Sequence, residues 1–135
     1  MGGRGAASGL SNNGKPYGSE YRTLFQVDNI KFVERRDNKS TTAPIETRSE
    51  NRIYVTVNKE DSQLHSISVM RGGKVREQID YRDHKGMGVH VHEWRYTDDG
   101  TPRRDRHPRA LTVSERALYD KVNAAYAGFR KRGGA

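Results

Sequence analysis

The chain has 135 residues and a formal net charge of +8, with dense charges of both signs. This length suits a single domain, and the absence of cysteine excludes disulfides and thiolate zinc sites. The basic balance favours polyanionic partners, nucleic acid first; the alternative is a soluble protein that is merely basic. No apolar run approaches the roughly 20 residues that span a bilayer, and the first residues lack the apolar core of a secretory signal.

Both ends of the chain are polar and rich in small residues. Residues 1–18 contain six glycines together with serine, asparagine and proline, which predicts a flexible arm. Residues 132–135 end in two glycines and an alanine and predict a short flexible tail. The sequence between them, residues 19–131, has enough apolar residues for a modest core and predicts one domain.

Six stretches in the first two thirds of the chain have the composition of strands. The strongest is Arg52–Lys59, where isoleucine and valine alternate with tyrosine and threonine. Asp28-Asn29 predicts a tight turn between the first two strands, and Gly72-Gly73 predicts a hairpin turn further along. The six predicted strands are residues 21–27, 30–34, 52–59, 64–70, 75–81 and 89–96.

Residues 97–110, with two prolines and four arginines, predict a loop, and a helix follows it. Thr112 and Glu115 have the Thr-x-x-Glu spacing of a capping box. Apolar residues then recur at helical spacing, and basic residues followed by glycines predict the helix end. The apolar set is Leu118, Val122, Ala125 and Phe129. The fold class is therefore α+β, with about five or six antiparallel strands and one C-terminal helix packed on the sheet.

The segment 80–94 contains three of the five histidines and is the first place to look for function. His90 and His92 are two residues apart, so on a strand both imidazoles share one face, while Val89 and Val91 share the other. We expect the valines to point inward and the imidazoles outward. His84 belongs to the loop before this strand.

Imidazoles titrate near neutral pH and can act as general acid and general base. Cleavage of RNA through its own 2′-hydroxyl needs both, with cations beside the phosphate. We therefore expect metal-independent acid–base chemistry without a cofactor, and one alternative is a surface strand with solvated or hydrogen-bonded histidines. The other alternative is zinc bound by the three imidazoles, with Asp80, Asp83 or Glu93 as further ligands. The catalytic candidates are His84, His90, His92 and Glu46, and the phosphate-binding candidates are Lys85, Arg52 and Arg95.

A group of arginines follows the last predicted strand. Flexible arginines beside aromatic rings suit a nucleic-acid backbone and stacked bases; the alternative is a solvated loop that its aspartates partly neutralise. The group consists of Arg95, Arg103, Arg104, Arg106 and Arg109, with His107 among them and Trp94 and Tyr96 as the aromatic residues.

Segments 17–24, 43–47, 52–58 and 78–92, with the glycine-rich opening 1–9, resemble a small phage and prophage domain and the C-terminal parts of some phage head-morphogenesis proteins. At the level of fold, the sheet and helix are weakly similar to the barnase, EndoU, colicin and RelE group of metal-independent ribonucleases. The resemblance implies an RNase-like phage protein in the cytoplasm of the bacterial host, with virion association as an alternative. It implies active-site roles for His84, His90 and His92, with Glu46 and Arg52 in support.

Two other functions fit the same sequence. The protein could inhibit a host nuclease or defence complex in the manner of an anti-CRISPR protein, by covering an acidic surface or a guide RNA. Alternatively, it could be a virion or packaging protein that holds DNA through its arginines, with binding that depends steeply on salt. The sequence leaves the oligomeric state open.

Overall fold

A computed structural model describes residues 21–36, 43–44, 52–82 and 86–133. These residues form one seven-stranded sheet, whose strands lie side by side in chain order, and one C-terminal helix. The predicted α+β class is confirmed. The strands are β1 (Tyr21–Val27), β2 (Ile30–Arg35), β3 (Ile53–Val57), β4 (Leu64–Arg71), β5 (Lys74–Asp80), β6 (His90–Tyr96) and β7 (Pro102–Arg104), and the helix is α1 (Val113–Lys131).

Both predicted tight turns are present. β1 and β2 reverse at Asp28, which has a φ of +53°, a conformation that aspartate tolerates better than most residues. Gly72 and Gly73 join β4 to β5 with φ values of +62° and +79°. Positive φ at both central residues is the geometry of a type I′ hairpin turn. Glycine is therefore needed at these two positions to hold β4 and β5 in register.

Two features of the sheet differ from the prediction. β2 and β3 are parallel, with Ile30 opposite Ile53, because the long connection between them returns the chain to the starting end of β2. The second difference is β7, which lies inside the predicted loop 97–110 and pairs with β6. β7 has three residues, two of them arginine, and begins with a proline, which an edge strand accepts at its first position. Its composition therefore does not indicate a strand.

One side of the sheet, which we call the helix face, packs on α1. Alternate residues of the central strands reach this side, and Val122 and Tyr126 of the helix close the core. Each of the sheet residues in the core is at most 1% exposed. These are Ile30, Phe32, Val55, Val57, Ile67, Ile79 and Val91. Burial of these apolar side chains, each worth about 1.5–3 kcal/mol, is what holds the helix on the sheet.

The start of α1 is tied to β6 through Arg109. Thr112 and Glu115 form the predicted capping box, and Glu115 also accepts two hydrogen bonds from the Arg109 guanidinium, at 2.8 and 2.9 Å. Arg109 binds Glu93 of β6 at 2.7 Å, and its backbone pairs with that of Val91. The hydrogen bonds from Arg109 hold the pKa of Glu115 below its usual value. Arg109 therefore joins the helix, the preceding segment and the sheet.

The arm predicted over residues 1–18 lies outside the described residues, as do the last two residues of the tail. Within the ranges given above, no helix is both long enough and apolar enough to cross a membrane.

Glu115→Gln should lower the free energy of unfolding by about 1 kcal/mol at neutral pH, because it removes a charge-assisted pair but keeps a capping amide. The difference from the wild type should shrink as pH falls below 4.5, since protonation of Glu115 then removes the same charge. Urea unfolding followed by the fluorescence of Trp94 measures both effects. Asp120→Asn, which removes an exposed carboxylate from the same helix, is the control and should have little effect.

Candidate functional site

The side of the sheet opposite α1, which we call the polar face, carries an unusual number of buried polar side chains. Beside an apolar patch of Val33, Tyr54, Met70 and Val75, the face is lined by hydroxyl, amide and imidazole groups. Burial of such groups costs free energy unless they are hydrogen-bonded, so a merely structural face would favour apolar residues. Each member of this set is at most 7% exposed: Thr56, Ser66, Ser68, Gln78, His90 and His92.

Asp80, His90 and His92 form the centre of this face, and we call them the Asp-His cluster. Nε2 of His90 lies 3.7 Å from Oδ2 of Asp80, and Nε2 of His92 lies 3.8 Å from the same oxygen. Asp80 is directly opposite His90 in the pairing of β5 with β6. One ligand atom from each of the three residues lies within 4.8 Å of the others, so the cluster could hold a metal ion.

Backbone carbonyls fix the orientation of both imidazoles. Nδ1 of His90 lies 2.8 Å from the carbonyl oxygen of Gly88, and Nδ1 of His92 lies 2.7 Å from that of Asp105. A carbonyl only accepts, so each Nδ1 carries the proton, and Nε2 of the neutral ring carries the lone pair. Gly88 has a φ of +69°, which favours glycine at this position. Both lone pairs therefore point toward Asp80.

Hydrogen bonds also fix the carboxylate of Asp80. Trp94 donates from Nε1 to Oε1 of Gln78 at 2.9 Å, and because indole only donates, the amide nitrogen of Gln78 faces the other way. That nitrogen donates to Oδ1 of Asp80 at 2.9 Å. Arg104 binds Oδ2 at 2.9 Å while its side chain stays 43% exposed. Arg104 thus connects the buried cluster to the surface of the protein.

Burial lowers the pKa of two histidines near this centre. The pKa of His92 lies below 6.5 mainly because burial disfavours the charged ring, with Arg104 and His90 acting in the same direction. Burial also lowers the pKa of His65 below 6.5; the charge of Asp80 opposes the shift, and Arg104 adds to it. Both rings are therefore held in the neutral form near pH 7.

His90 and His92 share one face, as their spacing predicts, but the expected exposure of the imidazoles is wrong. The two residues are 2% and 1% exposed, because their rings pack against each other, with centroids 4.9 Å apart, and hydrogen-bond to backbone carbonyls. Three further predicted residues, His84, Glu46 and Lys85, lie outside the described residues.

The structure divides the predicted nucleic-acid-binding residues between the two faces. Trp94 and Arg104 are opposite each other on β6 and β7 and lie on the polar face, and Tyr96 follows on the same face of β6. Arg95 and Arg103 are also paired. Each is next to a polar-face residue in its own strand, so both lie on the helix face. The sheet therefore brings only part of the predicted group to the Asp-His cluster.

The remaining predicted arginines lie elsewhere. Arg106 is exposed on the segment after β7. Arg52 precedes β3, and its carbonyl accepts a hydrogen bond from the amide of Met70. Met70 is near one end of β4, whereas the residue of β4 that pairs with Asp80 is near the other end. Arg109 is bound by two glutamates, which gives its guanidinium a structural role at the start of α1.

Two cations beside Tyr96 were not predicted. Nζ of Lys74 lies 4.9 Å from the ring centre of Tyr96, and the guanidinium of Arg76 lies 5.2 Å from it. Both belong to β5, so their approach to Tyr96 depends on the pairing of strands and has no local signal. His65 was also missed, and its only signal is its place in a strand with serine neighbours.

No protein family, no curated protein and no solved structure matches this chain. The resemblance to a phage domain therefore stays a prediction.

Acidification below pH 6.5 should destabilise the metal-free protein, because the unfolded chain takes up protons at His65 and His92 more readily than the folded chain does. The stabilising contribution is full above 6.5 and is lost as pH falls below it. Urea unfolding in the presence of EDTA measures the dependence. The dependence of stability on pH should be weaker in His92→Gln and unchanged in His107→Gln, since His107 is exposed. A urea midpoint that does not change with pH in the wild type would contradict this account.

Proposed function

We propose that this protein binds nucleic acid on its polar face and cleaves a phosphodiester at the Asp-His cluster. The observation that carries the proposal is the position of Arg104, which contacts Asp80 at 2.9 Å and is 43% exposed. A guanidinium has five donors, so Arg104 can bind Asp80 and a phosphate at once. A phosphate held there would lie next to His90 and His92.

The approach to Arg104 has the composition of a single-strand binding surface. Lys74 and Arg76 flank the ring of Tyr96, and Trp94 lies between Tyr96 and His92 on the same face of β6. Cations beside aromatic rings suit the backbone and the bases of a single strand, respectively. With the net charge of +8, this surface supports a nucleic acid as the partner.

One imidazole of the cluster can supply both proton transfers of cleavage: it takes the proton of the attacking oxygen, and the imidazolium that results gives a proton to the leaving oxygen. The attacking oxygen is activated next to Oδ2 of Asp80 and the Nε2 atoms of His90 and His92. The lone pairs of these atoms can take the proton of the attacking oxygen, or they can hold a cation that lowers the pKa of that oxygen. Arg104 stabilises the charge that develops on the phosphate. Both imidazoles face the same carboxylate, so they are not placed on opposite sides of a cleft as a separate acid and base.

Lys74→Gln with Arg76→Gln should weaken binding of single-stranded RNA and lower the dependence of log affinity on log salt by roughly 1.5, because each lost phosphate contact contributes about 0.7–0.9 to that slope. Fluorescence anisotropy across a salt series measures both quantities. Arg95→Gln with Arg103→Gln removes the same charge from the helix face and is the matched control. A larger loss in the control would place the binding surface on the helix face instead.

His92→Gln and Asp80→Asn should each abolish cleavage of single-stranded RNA, whereas His107→Gln should cleave like the wild type. End-labelled RNA and DNA of one sequence, resolved on a denaturing gel, report cleavage and separate a 2′-hydroxyl nucleophile from water. If the wild type leaves the RNA and the DNA uncleaved, both with and without added divalent metal, the catalytic part of the proposal is wrong.

Those results also test the other predicted functions. Salt-dependent binding without cleavage would favour a DNA-holding virion protein. A lack of both, with tight binding to one host protein, would favour an inhibitor of a nuclease or defence complex.

A further inference from the structure

We propose that Asp80, His90 and His92 form a binding site for one divalent transition-metal ion, with zinc as its simplest occupant. The inference goes beyond the proposed function, because an ion can bind here whether or not nucleic acid is cleaved. It also departs from the metal-independent chemistry that the sequence predicts.

The distances fit such an ion. With metal–ligand bonds of about 2.1 Å, two ligands of a tetrahedral zinc ion are roughly 3.4 Å apart. Oδ2 of Asp80 is 3.7 Å from Nε2 of His90 and 3.8 Å from Nε2 of His92. These separations are too long for hydrogen bonds and exceed the tetrahedral separation by only a few tenths of an ångström. The two Nε2 atoms lie within 4.8 Å of each other, so rotations that bring the imidazoles closer together would put all three atoms in contact with one ion.

The hydrogen bonds around the cluster are those of metal ligands. A ligating histidine almost always donates its other ring N–H to a carbonyl or carboxylate, which fixes the ring and aims its lone pair at the metal. Both imidazoles have this arrangement, through the carbonyls of Gly88 and Asp105. Asp80 is also held by hydrogen bonds: Oδ1 accepts from Gln78, and Oδ2, the oxygen nearest the imidazoles, accepts from Arg104 at 2.9 Å.

The backbone holds the ligands at a fixed spacing. His90 and His92 come from one strand, and Val91 between them exchanges two backbone hydrogen bonds with Arg109, at 2.9 and 3.0 Å. Asp80 is opposite His90 on the neighbouring strand. A site on paired strands loses little entropy when an ion binds.

The donor set indicates the class of ion. Imidazole nitrogens suit zinc, copper, iron and nickel, whereas magnesium prefers oxygen donors and retains its waters. Two imidazoles and one carboxylate leave at least one coordination position for water, the pattern of catalytic rather than structural zinc sites. In that state the imidazoles act as ligands and not as proton acceptors, and the bound water is the group whose pKa falls.

The test is a zinc titration of the full-length protein after EDTA treatment and removal of the chelator, followed by calorimetry and by the fluorescence of Trp94, the one tryptophan. Trp94 is linked to Asp80 through Gln78, so the ion should change its emission. We expect one zinc per chain and no comparable response to magnesium. Asp80→Asn, His90→Gln and His92→Gln should each weaken zinc binding by about 100-fold or more, because even the loss of an outer hydrogen-bonding partner costs about 10–100-fold.

His107→Gln is the matched control and should bind zinc like the wild type. Long-range ¹⁵N NMR of the wild type avoids any folding defect of the variants: zinc should shift Nε2 of His90 and His92 and leave His107 in place. Shifts confined to other histidines, or no saturable binding, would overturn the inference. Because these measurements contain no nucleic acid, a failed metal site and a failed cleavage function give different results.

Discussion

The register between β5 and β6 is the constraint on which the site depends. Because Asp80 pairs with His90 and Ile79 pairs with Val91, the carboxylate and the imidazoles lie on one side of the sheet and the aliphatic side chains lie on the other. A slip of one residue would exchange the two sets, placing imidazoles in the core against α1. The apolar contacts of Ile79 and Val91 with the helix therefore specify the alignment of the cluster, although they lie on the opposite side of the sheet.

The charge of a partly buried carboxylate has to be compensated, and hydrogen-bond donors reach Asp80 from both sides. Gln78 donates to one oxygen and Arg104 to the other, while the two imidazoles approach without hydrogen-bonding to it. Glu77 and Glu93 present a second case on the helix face, where they are directly opposite each other. Arg71 binds the first and Arg109 the second, so both charges are neutralised locally. Arg104 differs in its position, because the carboxylate that it binds lies next to the two buried imidazoles.

Local sequence signals predicted most of the architecture. The Gly72-Gly73 turn, the alternation in β3 and the capping box at Thr112 each depend on a few neighbouring residues, and all three are present. The parallel pairing of β2 with β3 and the short strand β7 arise from the path of the chain and have no comparable local signal. These long-range pairings account for the differences in the sheet.

The same division applies to the site. The spacing of His90 and His92 was enough to place both rings on one face, but it could not reveal that this face is buried. Asp80 was one of three acidic candidates, and only its pairing opposite His90 distinguishes it. Lys74 and Arg76 reach Tyr96 across a strand boundary, so no motif in the linear sequence connects them.

The backbone pairing of Arg109 with Val91 has a consequence for local opening of the fold. Arg109 holds Glu115 at the start of α1 and Glu93 on β6, and Val91 lies between the two histidines of the cluster. Separation of the helix from the sheet would release this pairing as well, so the two regions belong to one cooperative unit. In native-state hydrogen exchange, the amides of Val91 and Arg109 would then open together with the helix and not with the sheet edge at β7.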